Sequence, residues 1–122
     1  TGTAITPSAT SSKIYVAINM QVQTYTSGGS TCRGSLRVYR DIGGGGYSAV
    51  YPSNDIINVG GTYDNNDIEM SVYHRVPLLF LDSPNTTSAV NYKVYVKNSG
   101  GSNVTISNSN GDSTINLFEV LA

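Results

Sequence analysis

The chain has 122 residues, of which 39% are apolar and 12% are charged, and its formal net charge is −1. About two-fifths of the residues are Ser, Thr, Asn or Gly, while strong helix formers are scarce. The length fits a single domain spanning 1–122, the composition excludes a helical bundle, and the apolar content argues against a disordered chain. A β-rich domain with an uncharged polar surface remains.

Charge, hydropathy and cysteine content exclude several classes of partner. The seven Lys and Arg residues are scattered, whereas non-specific nucleic-acid binding needs a clustered positive surface. No run approaches the roughly 18 apolar residues of a membrane span. Cys32 is the single cysteine, so no intrachain disulfide can form. We therefore expect no nucleic-acid partner and no membrane insertion. Because the chain begins at Thr1 without Met, we expect a processed chain or part of a longer one.

Apolar and polar residues alternate along most of the chain, and this period of two is typical of half-buried β-strands. The first long strand is predicted over Lys13–Gln23 and the second over Cys32–Tyr39, with Thr26–Ser30 as a hairpin-type loop between them. The side chains expected to face the core from these two strands are Ile14, Val16, Ile18, Met20, Val22, Cys32, Gly34, Leu36 and Val38.

The second half of the chain repeats this pattern in shorter pieces. A clean alternation over 67–76 places His74 on the inward side, and Pro77 is expected to interrupt it. The other predicted strands are 47–51, 56–59 closed by Gly60 and Gly61, 78–81, 90–97, 103–107 and 114–121, with turns at 43–46, 82–85, 100–101 and 108–112. Eight to ten short strands without helical periodicity indicate an all-β, antiparallel two-sheet sandwich or jelly roll.

The final strand is apolar on both of its faces. Ile115 and Leu117 lie on one face, and Phe118 and Val120 lie on the other. In a two-layer sandwich only one face of a strand meets the core, so the other face needs cover from loops of the same chain or from another subunit. These four residues are the candidate subunit interface, and cover by the chain's own loops stays open.

Three segments of the chain resemble one known family. They are Ile5–Ile14 (ITPSATSSKI), Phe80–Val94 (FLDSPNTTSAVNYKV) and Ser113–Val120 (STINLFEV). In this order they resemble the C-terminal domains of virion structural proteins of tailed bacteriophages, especially marine ones, which occur in tail fibres, appendages and head-surface proteins. The resemblance covers nearly the whole chain and is weakest over 43–66. The family's closing motif has Leu-Met-Glu where this chain has Leu117-Phe118-Glu119.

This resemblance implies a jelly-roll sandwich of the tumour-necrosis-factor type that often assembles as a homotrimer, with its last strand near the subunit interface. It brings no catalytic residues and no cofactor. It implies a place on the particle surface, in a fibre, a tail or the capsid exterior, with other virion proteins as partners. The expected function is the outer domain of a fibre or appendage in host attachment, and the alternative is a capsid decoration protein.

Few residues are suited to catalysis or metal binding. His74 is the single histidine, and its inward position is more typical of a core or interface residue. Asp64, Asp67 and Glu69 form the one close acidic cluster, which leaves a carbohydrate-active enzyme as a lesser alternative. The turn 108–112 and the Asn- and Asp-containing stretch at 64–67 resemble calcium loops but are more typical of ordinary turns. We predict no catalytic residue and no bound metal.

Tyrosine is the remaining functional signal. Tyr47, Tyr51 and Tyr63 flank the turn-rich middle of the chain, and Asn65 and Asn66 lie in the same region. Tyr combined with Asn, Ser and Gly makes an adaptable contact surface, as in binding loops. These five residues are the candidate receptor or partner contact, with a host-surface glycan as one ligand. The tyrosines on polar strand faces are interpreted as ordinary half-exposed residues; they are Tyr39, Tyr73 and Tyr95.

Overall fold

Nine β-strands and no helix make up the part of the chain that the computed structural model describes, which is residues 2–27, 31–51, 57–62 (backbone only), 69–100, 103–106 and 112–121. In chain order the strands are β1 (Thr3–Ile5), β2 (Lys13–Thr26), β3 (Thr31–Ile42), β4 (Ser48–Tyr51), β5 (Ile57–Thr62), β6 (Met70–Asp82), β7 (Val90–Gly100), β8 (Asn103–Ile106) and β9 (Thr114–Val120). The predicted all-β class is confirmed. Within these residues no helix is long and apolar enough to cross a membrane.

The strands form two antiparallel sheets. One has the order β1-β7-β3-β4, with β5 also paired to β3, and we call it the β3 sheet. The other has the order β6-β2-β8, with β9 also paired to β2, and we call it the β2 sheet. These two layers agree with the predicted β-sandwich.

Strand β2 is the strand to which every other strand of its sheet pairs. It pairs with β6 along nearly its full length, from Ile14 opposite Asp82 to Thr26 opposite Met70. Its other edge pairs first with β9 and then with β8. The side chains that β2 directs into the core are those predicted from the alternation, and all are buried: Ile14, Val16, Ile18, Met20 and Val22.

The opposite wall of the core comes from the β3 sheet. Leu36 and Val38 on β3 are buried, as predicted, and Val90 and Tyr92 on the neighbouring strand β7 are fully buried beside them. Two such apolar rows facing each other remove both from water, which is the main source of stability in a sandwich.

The predicted hairpin between the first two long strands is wrong. β2 pairs with β6, β8 and β9, whereas β3 pairs with β4, β5 and β7, so the chain passes from one sheet to the other after Thr26. Both strands present an apolar row to the same core, and they therefore face each other across it instead of lying edge to edge. Residues 28–30 of the predicted loop lie outside the described residues.

Two predicted strand boundaries also differ from the structure. Pro77 does not interrupt β6, whose pairing with β2 continues through Pro77 opposite Asn19. The sheet order places β6 at an edge, where a proline nitrogen facing outward removes no bond of the ladder. Gly60 and Gly61 do not close the short strand β5 but pair within it, opposite Arg33 and Cys32.

A partly buried polar cluster joins the two sheets at one end. Nη1 of Arg40 on β3 donates to both carboxylate oxygens of Asp82 on β6, at 2.7 and 2.8 Å. The hydroxyl of Tyr92 on β7 donates to the same carboxylate at 2.6 Å. Burial and the neighbouring carboxylate raise the pKa of Tyr92, so its hydroxyl stays protonated and remains a donor. Three strands are thus held together by one carboxylate with several hydrogen bonds.

A second carboxylate anchors the segment between β1 and β2. Oε1 of Glu119 on β9 accepts hydrogen bonds from the backbone N–H and the hydroxyl of Ser8, at 2.6 and 2.7 Å. Hydrogen bonds from Ser12 and Ser8 lower the pKa of Glu119 below its ordinary value. The ionised carboxylate is therefore the form that the folded chain favours.

We expect Gly34→Ala to destabilise the domain by about 1–3 kcal/mol, because there is no room for an added methyl group. A Cβ at Gly34 of β3 would lie 2.4 Å from Cγ2 of Val104 on β8, which belongs to the opposite sheet. Denaturant unfolding measures the change in free energy. Gly100→Ala is the matched control, since its Cβ would meet Thr31 Cγ2 at an ordinary 3.5 Å. Adding Val104→Ala to Gly34→Ala should recover much of the loss, and an unchanged stability of Gly34→Ala would contradict this packing.

We expect Glu119→Gln to lower stability at pH 7 and to lose this effect in acid. Because the folded-state pKa of Glu119 lies below its ordinary value of 4.5, its contribution is present above pH 4.5 and disappears as the pH falls through the folded value. Urea unfolding of both proteins between pH 7 and pH 2 measures the difference. In a Ser8→Ala background the pH-dependent part should shrink, because one donor is missing. An equal difference at all pH values would argue against an ionised anchor.

Candidate functional site

Of the four residues weighed for catalysis, His74 and Glu69 lie in the described part of the chain. His74 lies on the inward side of β6 opposite Val22, and its Nε2 is buried without a hydrogen-bond partner among the described residues. The carboxylate of Glu69 accepts a hydrogen bond from the hydroxyl of Tyr25, which raises the pKa of Tyr25. Asp64 and Asp67, the other members of the acidic cluster, lie outside the described residues.

The described residues likewise form no recognisable metal site. Among them, no group of three or more His, Cys, Asp or Glu side chains is placed to hold a metal ion. Residues 64–67 and 108–111 of the calcium-like loops lie outside the described ranges. Asp112 is described, and its backbone carbonyl accepts a hydrogen bond from Nη1 of Arg75 at 2.9 Å.

The terminal strand β9 separates the four candidate interface residues into two pairs. Ile115 and Leu117 point inward and pack against the core. Phe118 and Val120 point away from it and are 56% and 42% exposed. The predicted division into two faces is therefore what the structure shows, and the outer pair remains uncovered by the described residues.

Phe118 and Val120 belong to a larger exposed surface that runs across three strands. Tyr15 of β2 lies opposite Leu81 of β6 on one side and opposite Phe118 of β9 on the other. The rings of Tyr15 and Phe118 are 6.3 Å apart, centroid to centroid. Each side chain of this surface is at least 37% exposed, and we call the set the apolar patch: Tyr15, Leu79, Leu81, Phe118 and Val120.

The same face of the β2 sheet becomes polar towards β8. Nε2 of Gln23 donates to the hydroxyls of Ser71 and Tyr73 at 2.8 and 3.0 Å, and Tyr25 donates to Glu69 one step further along. The polar groups of these surface side chains are thus hydrogen-bonded to one another. The apolar patch is therefore confined to the end of the sheet at which β9 pairs with β2.

Among the candidate contact residues, Tyr47 and Tyr51 lie in different environments. Tyr51 turns inward from β4, is half-buried against the core and stacks on Phe80 at 4.6 Å with an interplanar angle of 11°, and its role as a contact residue stays a prediction. Tyr47 is exposed. Tyr63, Asn65 and Asn66 lie outside the described residues.

Tyr47 belongs to a cluster on the outer face of the β3 sheet. Nζ of Lys93 on β7 lies 3.5 Å from the centroid of the Tyr47 ring and 4.8 Å from that of Tyr95. Tyr39 on β3 meets Tyr95 edge to face, with centroids 4.7 Å apart. We call these four residues the tyrosine–lysine cluster. Spacing along the chain missed it because Tyr39 and Lys93 become neighbours only through the pairing of β3 with β7.

Comparison with known proteins identifies no relative from which a function could be inferred. The chain matches no protein-family model, and no curated protein or solved structure is significantly similar to it. The resemblance of its three segments to phage virion proteins therefore stays a prediction.

Proposed function

We propose that this domain is a structural protein of a bacteriophage virion, the outer domain of a fibre or appendage, with jelly-roll topology and a homotrimeric assembly. The observation that carries the proposal is the apolar patch, which lies on the outer face of the β2 sheet and includes half of the terminal strand's apolar residues. The three resembling segments support the virion assignment.

The apolar patch has the composition and position of an interface core. Monomeric proteins rarely expose contiguous apolar surfaces of this kind, and those that do use them for association. Full burial of a large apolar side chain contributes about 1.5–3 kcal/mol, so partial burial of five such side chains is a substantial driving force. Two of the five are aromatic, the residue class enriched in interface cores.

The borders of the patch also suit an interface. A stable contact buries roughly 800 Å² on each partner, with an apolar centre and a polar rim. The hydrogen-bonded row of Gln23, Ser71 and Tyr73 supplies polar groups on the same face, beyond the patch. Identical patches on three copies can close around one axis, which ends growth at a defined size.

A capsid decoration protein is the alternative role for the same domain. In that case the apolar patch would face the shell, and the domain would bind no host receptor. The exposed tyrosine–lysine cluster on the other sheet favours attachment, since it presents aromatic rings away from the proposed interface.

We expect the wild-type domain to form a trimer in solution and Phe118→Asp to weaken its association by more than about tenfold, because a carboxylate would be buried in the apolar patch. Sedimentation equilibrium measures the mass and the dissociation constant. Tyr95→Asp, at a similarly exposed aromatic residue on the other sheet, is the control and should leave the association unchanged. A wild-type monomer at the highest soluble concentration would overturn the assembly.

Antibody labelling of phage particles under the electron microscope tests the location. We expect label on fibres or appendages, because the apolar patch would be used between copies and the other sheet would face outward. Label spread over the shell would favour the decoration role, and the absence of label from every particle would overturn the virion assignment.

A further inference from the structure

The tyrosine–lysine cluster lies on the face of the sandwich opposite to the apolar patch. Tyr39 on β3 and Lys93 on β7 are directly paired, and Tyr95 follows two residues later on the same side of β7. Tyr47 approaches from the turn before β4 and places its ring under the Lys93 ammonium group. Three rings and one cation from three parts of the chain therefore form a single surface.

The rings are held in place and yet accessible. Tyr95 is braced edge to face by Tyr39, with an angle of 70° between the ring planes. Tyr47 and Tyr95 nevertheless keep 40% and 46% of their surface exposed. Aromatic side chains that are already ordered lose little conformational entropy when a ligand stacks on them.

Lys93 supplies a cation that makes cation–π contacts with two aromatic rings. Its ammonium group lies over the rings of Tyr47 and Tyr95. A hydrogen bond with Tyr95 raises the pKa of Lys93, so the group remains charged at neutral pH. Asp41, whose charge also acts on Lys93, is buried and accepts a hydrogen bond from the backbone N–H of Gly46 at 2.7 Å.

Rings and cation together fit one class of ligand. The apolar face of a sugar ring stacks on a tyrosine ring, and a carboxylate on that sugar forms a charge-assisted hydrogen bond with an ammonium group. Three more basic residues lie on this outward face and add positive charge to it, and each of them also interacts with other residues of the chain. They are Arg33, Arg37 and Lys97. Charge complementarity therefore favours an acidic over a neutral saccharide.

We propose that the tyrosine–lysine cluster binds acidic saccharides, with Tyr47 and Tyr95 stacking on sugar rings and Lys93 pairing with a carboxylate. The inference deepens the proposed attachment function and rests on it, because it names the class of host-surface glycan that the domain would recognise. The apolar patch is not involved, so binding and self-association are separate properties.

Titration calorimetry with short oligogalacturonates tests the site. We expect weak binding, with a dissociation constant on the order of 1 mM for each site, and a loss of more than about tenfold in Tyr47→Ala and in Lys93→Met. Lys93→Arg should retain most of the affinity because it keeps the charge. Tyr73→Ala is the matched control, since Tyr73 is 46% exposed, like Tyr95, but lies on the other sheet. Thermal unfolding verifies that each variant is folded.

Three further ligands separate stacking from charge. Methyl-esterified oligogalacturonate keeps the sugar and loses the carboxylate, whereas poly-L-glutamate and oligo-dT keep negative charge without that sugar. The proposal requires that all three bind more weakly than oligogalacturonate. Equal binding of the ester would overturn the role of Lys93, equal binding of either polyanion would overturn saccharide recognition, and no binding of oligogalacturonate would overturn the site.

The outcome for this site is independent of the outcome for assembly. Sedimentation of Lys93→Met should still give the wild-type oligomer, because Lys93 lies on the β3 sheet. A trimer that binds no oligogalacturonate would overturn only the saccharide site. A monomer that binds oligogalacturonate would overturn only the assembly.

Discussion

The row of five apolar side chains that β2 directs inward is the constraint on which the rest of the structure depends. A strand with such a row needs a second layer to cover it, and β3 and β7 supply that layer with rows of their own. Since β6, β8 and β9 all pair with β2, its register also decides which residues share the outer face of that sheet. Leu81, Tyr15 and Phe118 therefore lie side by side on the outer face because of the register of β2, the strand that also builds the core.

The three segments that resemble phage virion proteins have structural tasks in this fold. Asp82 of the second segment accepts hydrogen bonds from Tyr92 of the same segment and from Arg40, across the gap between the sheets. Glu119 of the last segment holds Ser8 of the first. These polar side chains thus fasten the sandwich, while Leu81, Phe118 and Val120 of the same segments contribute to the apolar patch.

Sequence patterns could predict which way residues face but not which strands meet. The inward rows of β2 and β3 and the two faces of β9 were predictable because a strand's side chains alternate regardless of its partner. The hairpin at 26–30 was not, since two apolar rows can lie edge to edge or face to face. Tyr51 turns inward beside a register shift between Val38 and Tyr39, an irregularity that no spacing along the chain indicates. The tyrosine–lysine cluster depends on the same long-range pairing.

Pro77 has a consequence for the way in which these domains can come together. An edge strand presents a row of backbone donors and acceptors, and another chain can add to that row and extend the sheet without limit. In the middle of β6 the proline ring takes away one donor and puts bulk in its place. Continuous edge-to-edge polymerisation is thereby disfavoured along this border. An edge on which strand addition is hindered leaves association to other surfaces of the domain, of which the apolar patch is one.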